Sequence, residues 1–260
     1  MKNYVKKVYG GIAKNKKSCC CNSKNTDVSE KVGYSKEDLT SIPSEANMGL
    51  GCGNPVALAS LKEGETVVDL GCGGGIDVFL AAKKVGNKGK VIGIDMTDEM
   101  INKAKANAKN ISVSNVEFKL GEIEKLPLAN EIADCIISNC VINLSEDKQQ
   151  VFNEAFRVLK IGGRLMVSDM VLVGDLPKEV LESPEMHAGC IAGALQKEDY
   201  LNKIKKAGFK EVSVTREDPV SLTDYIGTDK VVSDLVKNMT VLEKERINKA
   251  IASIKVSARK

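Results

Sequence analysis

Short apolar runs alternate with amphipathic stretches along most of the chain. Thr66-Val67-Val68-Asp69-Leu70 is apolar throughout and stopped by glycines, which predicts a strand buried on both faces. Ile76 to Val85 has helical spacing, and Lys90 to Asp95 is a second strand. Thr97 followed by Asp98 and Glu99 predicts an N-cap with acids in the first turn, opening a helix that runs to about Lys109. Val116 to Leu120 and Ile132 to Ser138 predict the third and fourth strands. Lys148 to Leu159 predicts a helix ended by Gly162-Gly163, and Arg164 to Asp169 the fifth strand. Strands alternating with helices predict a doubly wound, mostly parallel α/β sheet with helices on both faces. Beyond it lie a Pro-containing insertion (Gly174 to Leu195), a helix (Lys197 to Ala207), a strand (Glu211 to Arg216), a charged helix (Leu242 to Ala250) and a last apolar run (Ile251 to Val256). Before it, Tyr4 to Ile12 is a short helical candidate with Tyr4, Val5, Val8 and Tyr9 on one side, and 14–24 reads as loop.

Composition narrows the class. With 43% hydrophobic and 28% charged residues in 260, the chain has an ordinary globular balance. A net charge of +3, 4% aromatics and no Trp exclude a dedicated nucleic-acid binder with stacking platforms. Nine lysines against Asp27 and Glu30 make residues 1–36 a basic segment and leave the remainder acidic, and the Lys run within 14–24 reads as a solvated tail. No apolar run approaches the roughly 18 residues of a membrane span, and no signal peptide is legible. The expectation is a cytoplasmic protein with no membrane partner, acting as a monomer. Against that background, eight cysteines and a single histidine, His187, stand out. In a reducing compartment, surplus cysteine points to metal binding or thiol chemistry rather than to a disulfide scaffold.

The first strand runs into Asp69-Leu70-Gly71-Cys72-Gly73-Gly74-Gly75 and then a helix. Glycines let backbone approach a ligand closely, and a helix N-terminus offers free amides. Asp95 ends the second strand about 20 residues on, where an acid can accept both hydroxyls of a ribose. With Gly121-Glu122-Ile123-Glu124 and Ser138-Asn139, this series resembles the motifs of class I S-adenosylmethionine-dependent methyltransferases. The resemblance implies a Rossmann-like methyltransferase sheet with a C-terminal substrate-binding insertion, and S-adenosylmethionine as cofactor. It assigns the methionine part to Asp69, Gly71, Cys72 and Gly73, the ribose to Asp95, adenine stacking to Met96, the adenine edge to Glu122 and Ile123, and a further contact to Asn139. It also implies a division into a Cys-containing extension (1–45), an S-adenosylmethionine-binding core (46–172) and a part completing the sheet and substrate site (173–260).

The cysteines differ in setting. Cys72 in the glycine loop and Cys135 in the fourth strand read as packing, since buried free cysteine behaves as a small hydrophobe. Cys52 lies in Leu50-Gly51-Cys52-Gly53-Asn54-Pro55, Cys140 directly after the fourth strand, and Cys190 in the insertion, each among small or polar residues. These segments, together with Ser138-Asn139-Cys140-Val141-Ile142-Asn143-Leu144 and Cys190-Ile191-Ala192-Gly193-Ala194-Leu195, resemble the signature segments of arsenite methyltransferases. The resemblance is strong over residues 40–210 and weaker at the ends.

It implies that arsenite or methylarsenite is the substrate and that Cys52, Cys140 and Cys190 hold As(III). Thiolates are natural ligands for a soft centre, and three leave arsenic pyramidal with a lone pair to attack the sulfonium methyl group. Catalysis is then mainly positioning, with no proton to remove, which suits a chain with one histidine. The resemblance also implies a redox or loading role for the N-terminal cysteines, of which Cys20 or Cys21 in Cys19-Cys20-Cys21 is favoured, and a thioredoxin- or glutathione-type reductant. Tyr9-Gly10 matches weakly a segment that closes over the cofactor. His187 reads as a packing residue. Two other readings stay open: a methyltransferase for an organic acceptor such as a quinone or sterol, and a thiol protein that sequesters metalloid without catalysis.

Overall fold

The computed structural model describes residues 1–14, 29–221, 237 and 239–260. Seven strands form one sheet in the order β3-β2-β1-β4-β5-β7-β6. They are β1 (Thr66–Leu70), β2 (Lys90–Asp95), β3 (Val116–Leu120), β4 (Ala133–Asn139), β5 (Leu159–Leu172), β6 (Lys210–Pro219) and β7 (Ile251–Arg259). The first five are parallel, and β7 runs antiparallel between β5 and β6. β1 has a neighbour on each side, Val67 facing Val91 of β2 and Cys135 of β4, and helices bury both its faces, which is why Val67, Val68 and Leu70 are apolar. Strand order reverses at β1, so the crevice at the carboxyl ends of β1 and β4 is where a ligand site is expected.

The helices are α1 (Lys2–Lys14), α2 (Lys36–Thr40), α3 (Pro55–Leu58), α4 (Ile76–Val85), α5 (Asp98–Asn110), α6 (Lys148–Val158), α7 (Lys178–Leu181), α8 (Pro184–Ala188), α9 (Lys197–Lys206) and α10 (Val241–Asn248). One face of the sheet packs on α6 and α9 through Val151, Phe152, Ala155, Tyr200 and Ile204. The other packs on α4 and α5 through Val78, Phe79, Ile101 and Ala104. A third apolar cluster covers the carboxyl edge and joins Val5 of α1 to Cys52, Cys140, Met186 and Cys190.

Two local expectations are corrected. The helix before β5 ends at Val158, and Gly162-Gly163 lie inside β5 rather than at a helix cap. Leu159 is already extended and pairs with Ala133. The register then jumps to Cys135 opposite Arg164, so 160–163 bulge, with Gly162 at φ +78°. Thr97 has N-cap backbone geometry but its hydroxyl makes no cap bond; its amide donates to Asp95 Oδ1 instead. The helix expected over Tyr4 to Ile12 is present as α1 and packs on the fold: Val5 is fully buried, and Tyr9 donates its hydroxyl to the Ala188 carbonyl oxygen of α8 at 3.0 Å. The lysine run from Lys16 and the triplet Cys19-Cys20-Cys21 lie outside the described residues.

Candidate active site

β1 ends in a turn that only glycine fits. Gly71 has φ +68°, and a Cβ there would lie 2.4 Å from Val141 Cγ2. Gly75 has φ +96°, and a Cβ there would lie 2.8 Å from the Phe79 ring. The turn is tied to the end of β2: the Cys72 amide donates to the Ile94 carbonyl at 2.9 Å and the Gly73 amide to Asp95 Oδ2 at 3.0 Å. Cys72 is buried, in keeping with the packing role read from the sequence, and a Cβ on Gly93 would lie 2.8 Å from its sulfur. Above this turn opens a cleft. Of the residues expected at a cofactor, Asp69, Gly71, Cys72, Gly73, Asp95, Met96, Ile123 and Asn139 line it.

Glu122 does not. Its side chain turns toward α1 and pairs with Lys2 at 3.0 Å and Lys6 at 3.7 Å, which together lower its pKa. Ile123 and Glu124 line the cleft instead, from a turn closed by the Lys125 amide on the Glu122 carbonyl oxygen. On the other side of the cleft, Lys2, Val5 and Tyr9 of α1 form a wall.

Three acids are buried at the cleft: Asp69, Asp77 and Asp95. Burial raises the pKa of each, and at Asp69 the neighbouring charges of Asp77 and Asp95 add to it. Among the described residues none of the three forms an ion pair. Uncompensated carboxylates in a low-dielectric wall favour a cationic occupant. Asp77 is held in place: Tyr34 Oη donates to its Oδ1 at 2.9 Å and Asn139 Nδ2 to its Oδ2 at 3.2 Å.

Tertiary folding gathers the three cysteines singled out from the sequence. Asn54 caps α3 by accepting the Ala57 amide at 3.0 Å and Pro55 opens the helix, so Gly51-Cys52-Gly53 is pressed against the ends of β4 and β5. A Cβ on Gly53 would lie 1.9 Å from Ser168 Oγ, and one on Gly51 2.7 Å from Asn139 Nδ2. Cys140, at φ +57°, donates its amide to the Ser168 carbonyl, and Cys190, at φ +64°, sends its thiol to the Cys140 carbonyl oxygen at 2.7 Å. Two non-glycine residues held left-handed cost of order 1–3 kcal/mol each, strain that tends to persist where geometry is functional.

The sequence reading expected three free thiolates. The structure instead joins Cys52 and Cys140 in a disulfide with Cα atoms 5.9 Å apart. The pair is therefore in its oxidised state, and Cys190 alone of the three is a thiol, its pKa pushed up by burial and by Asp169. Cys135 is a buried free thiol in β4, as its packing role requires. His187 is half-buried with Nε2 3.5 Å from the Leu144 carbonyl oxygen, and burial lowers its pKa.

Several residues of the site were not singled out from the sequence. Asp169 is fully buried in β5, and its carboxylate and the sulfurs of Cys52 and Cys140 lie within 4.8 Å of one another. It accepts the Met170 amide at 2.9 Å and the Tyr200 hydroxyl at 3.1 Å, yet burial carries its pKa from 3.8 to about 7. Lys148 is buried close by, its pKa lowered by desolvation, with Nζ on the Ser145 carbonyl oxygen at 2.7 Å. Lys255 Nζ and Ser253 Oγ both donate to the Cys52 carbonyl oxygen. Asp169 had a signal, an acid near the carboxyl end of a parallel strand. Tyr34 and Lys255 had none, because each reaches the site from a distant element.

Residues 61–208 match the family model described as a methyltransferase domain. The chain is 44% identical over 228 residues to an arsenite methyltransferase of Halobacterium salinarum, covering 82% of this chain and 58% of that protein. It is 35% identical over 239 residues to an arsenite methyltransferase of Aquipseudomonas alcaligenes, covering 89% of this chain and 67% of the relative. The fold superposes with a TM-score of 0.66 and 32% identity on the crystal structure of an arsenic(III) S-adenosylmethionine methyltransferase from Chlamydomonas reinhardtii, covering 90% of this chain and 73% of that one. The chain thus spans 58% of the length of the Halobacterium protein and 67% of the Aquipseudomonas one.

Proposed function

Because the chain belongs to the arsenite methyltransferase family, we propose that it transfers methyl groups from S-adenosylmethionine to trivalent arsenic held by Cys52, Cys140 and Cys190. The observation that carries this reading is the meeting of those cysteines at the carboxyl edge of the sheet, beside a cleft walled by three buried acids that have no ion-pair partner among the described residues.

The cleft fits such a methyl donor, which carries cationic groups. Asp69 and Asp77 would hold the methionine part, with the Gly71–Gly75 turn letting the backbone come close. Asp95 would take the ribose, and Met96 and Ile123 would bracket the adenine. When bound, the donor supplies a methyl group on a sulfonium, already activated toward a soft nucleophile. The apolar wall of buried Val5 and Leu144 with half-buried Tyr9 excludes water that would compete for that group.

The substrate chemistry falls to the cysteines. A thiol reductant, one dithiol or two glutathione molecules, first converts the Cys52–Cys140 disulfide to two thiols and is itself oxidised to a disulfide. A reductant of the thioredoxin or glutathione class would serve, with Cys20 or Cys21 as the relay and the cytoplasm as the setting. Arsenous acid then reacts with three thiols. Each As–S bond forms as an As–O bond breaks, and each thiol proton leaves with hydroxide as water. Neutral tris-thiolate arsenic keeps its lone pair, so no general base is needed at the methylation itself, and the protein's task is orientation.

The test is to incubate the purified protein with arsenite, glutathione and S-adenosylmethionine and to speciate the arsenic. Methylated arsenic is expected from the native protein. Cys140→Ser and Cys190→Ser should give none while still binding the methyl donor. Normal turnover in both variants, or arsenite bound by the native protein with no product, overturns the reading.

A further inference from the structure

One chain of hydrogen bonds runs from the cleft wall to the cysteine loop. The Cys52 amide donates to Asn139 Oδ1 at 3.1 Å. Asn139 Nδ2 donates to the Tyr34 hydroxyl oxygen at 2.9 Å and to the Gly53 carbonyl oxygen at 2.7 Å. The Tyr34 hydroxyl donates in turn to Asp77 Oδ1 at 2.9 Å. Tyr34 is 4% exposed and Asp77 3%, so water competes little for these bonds. From the Cys52 amide through Asn139 and Tyr34 the donors run toward Asp77, so each bond polarises the next, while the second Asn139 amide hydrogen turns back to Gly53. From residue 34 the tyrosine therefore ties together the first turn of α4, the end of β4 and the loop carrying Cys52.

We propose that Tyr34 is a positioning residue that couples occupation of the cleft to the placement of Cys52. This rests on reading the cleft as the methyl-donor site. A cationic group arriving at Asp77 draws on the same carboxylate lone pairs that anchor Tyr34. The change passes through Asn139, whose amide holds the backbone on both sides of Cys52. Gly51 and Gly53 transmit it because both are packed against the neighbouring strands without a Cβ, so the loop has little room to absorb a shift of Asn139. The consequence is that the arsenic-binding cysteines are set in place when the methyl donor is present, and less so when it is absent.

The experiment uses the reduced full chain and S-adenosylhomocysteine, which cannot be consumed. Calorimetry gives its Kd for the native protein and for Tyr34→Phe. Iodoacetamide labelling, read by peptide mass spectrometry, gives the modification rate of Cys52 relative to Cys190 with and without saturating ligand. In the native protein the ligand should change that ratio at least about fivefold, the low end of ordinary coupling between sites. In Tyr34→Phe the ligand should still bind, with Kd within about threefold, but the ratio should change less than about twofold, because only the longer 3.2 Å contact from Asn139 Nδ2 to Asp77 Oδ2 then joins the two residues. A purely structural tyrosine would alter the melting temperature or Kd and leave the ligand's effect on the ratio intact. An unchanged effect in Tyr34→Phe, or bound ligand with no effect on the native ratio, overturns the proposal. Absence of any ligand binding to the native protein instead overturns the donor-site reading, and the proposal with it.

Discussion

Asp169 makes the fold's tolerance of pH measurable. Its carboxyl is fully buried against Tyr200, the Met170 amide and the Cys52–Cys140 pair, and burial raises its pKa from 3.8 to about 7. A raised folded-state pKa means that the native state binds the proton more tightly than the unfolded chain. Stability from this group is therefore complete below pH 3.8 and is lost as pH rises to about 7. At about 1.4 kcal/mol per tenfold change in proton affinity, the whole span is worth roughly 4 kcal/mol. Between pH 5 and pH 8 about 2–3 kcal/mol of it should be lost. Asp169→Asn keeps the shape and removes the charge, so its stability relative to the native protein should rise by that amount over the same interval. Urea unfolding of both proteins at pH 5, 6, 7 and 8, without reductant, measures the difference directly and cancels the other titrating groups. A difference that is the same at pH 5 and pH 8 would refute the reasoning.

Reducing the Cys52–Cys140 disulfide, which closes a loop of sequence separation 88, should lower the unfolding free energy by up to about 4–5 kcal/mol. Equilibrium unfolding with and without a dithiol tests this, and an unshifted midpoint would show that the bond does not constrain the unfolded chain. Gly71→Ala places a methyl 2.4 Å from Val141 Cγ2 on a left-handed backbone. It should weaken S-adenosylmethionine binding at least about tenfold and cost of order 1–3 kcal/mol of stability. Calorimetry and thermal melts check both, and native-like affinity would show that the turn can relax.

Much of the sheet was legible because its physics is local. β1, β2 and β3 are compact runs bounded by glycines or charges, and the Ile76–Val85 helix has the bounds its periodicity predicts. The errors fell where pairing overrides local preference. Gly162-Gly163 is a good helix terminator, but β7 needed a partner there: Gly162 donates to the Lys260 carbonyl and Lys260 to the Gly163 carbonyl. Glu122 matched a motif, yet Lys2 and Lys6 of a helix about 120 residues away turn it out of the cleft.

The candidate site divides in the same way. By itself the sequence determined the glycine turn, the acid ending β2 and the three cysteines worth weighing, since residue type and neighbours define those chemistries. Tertiary structure alone decided that Cys52 bonds Cys140, that Cys190 lies against Cys140, and that Asp169 is buried beside the pair. It also brought Tyr34 to Asp77 and Asn139. Those relations join residues 29 to 117 positions apart. Which side chains meet at a sheet's carboxyl edge depends on strand order and loop packing, and no short stretch of sequence encodes either.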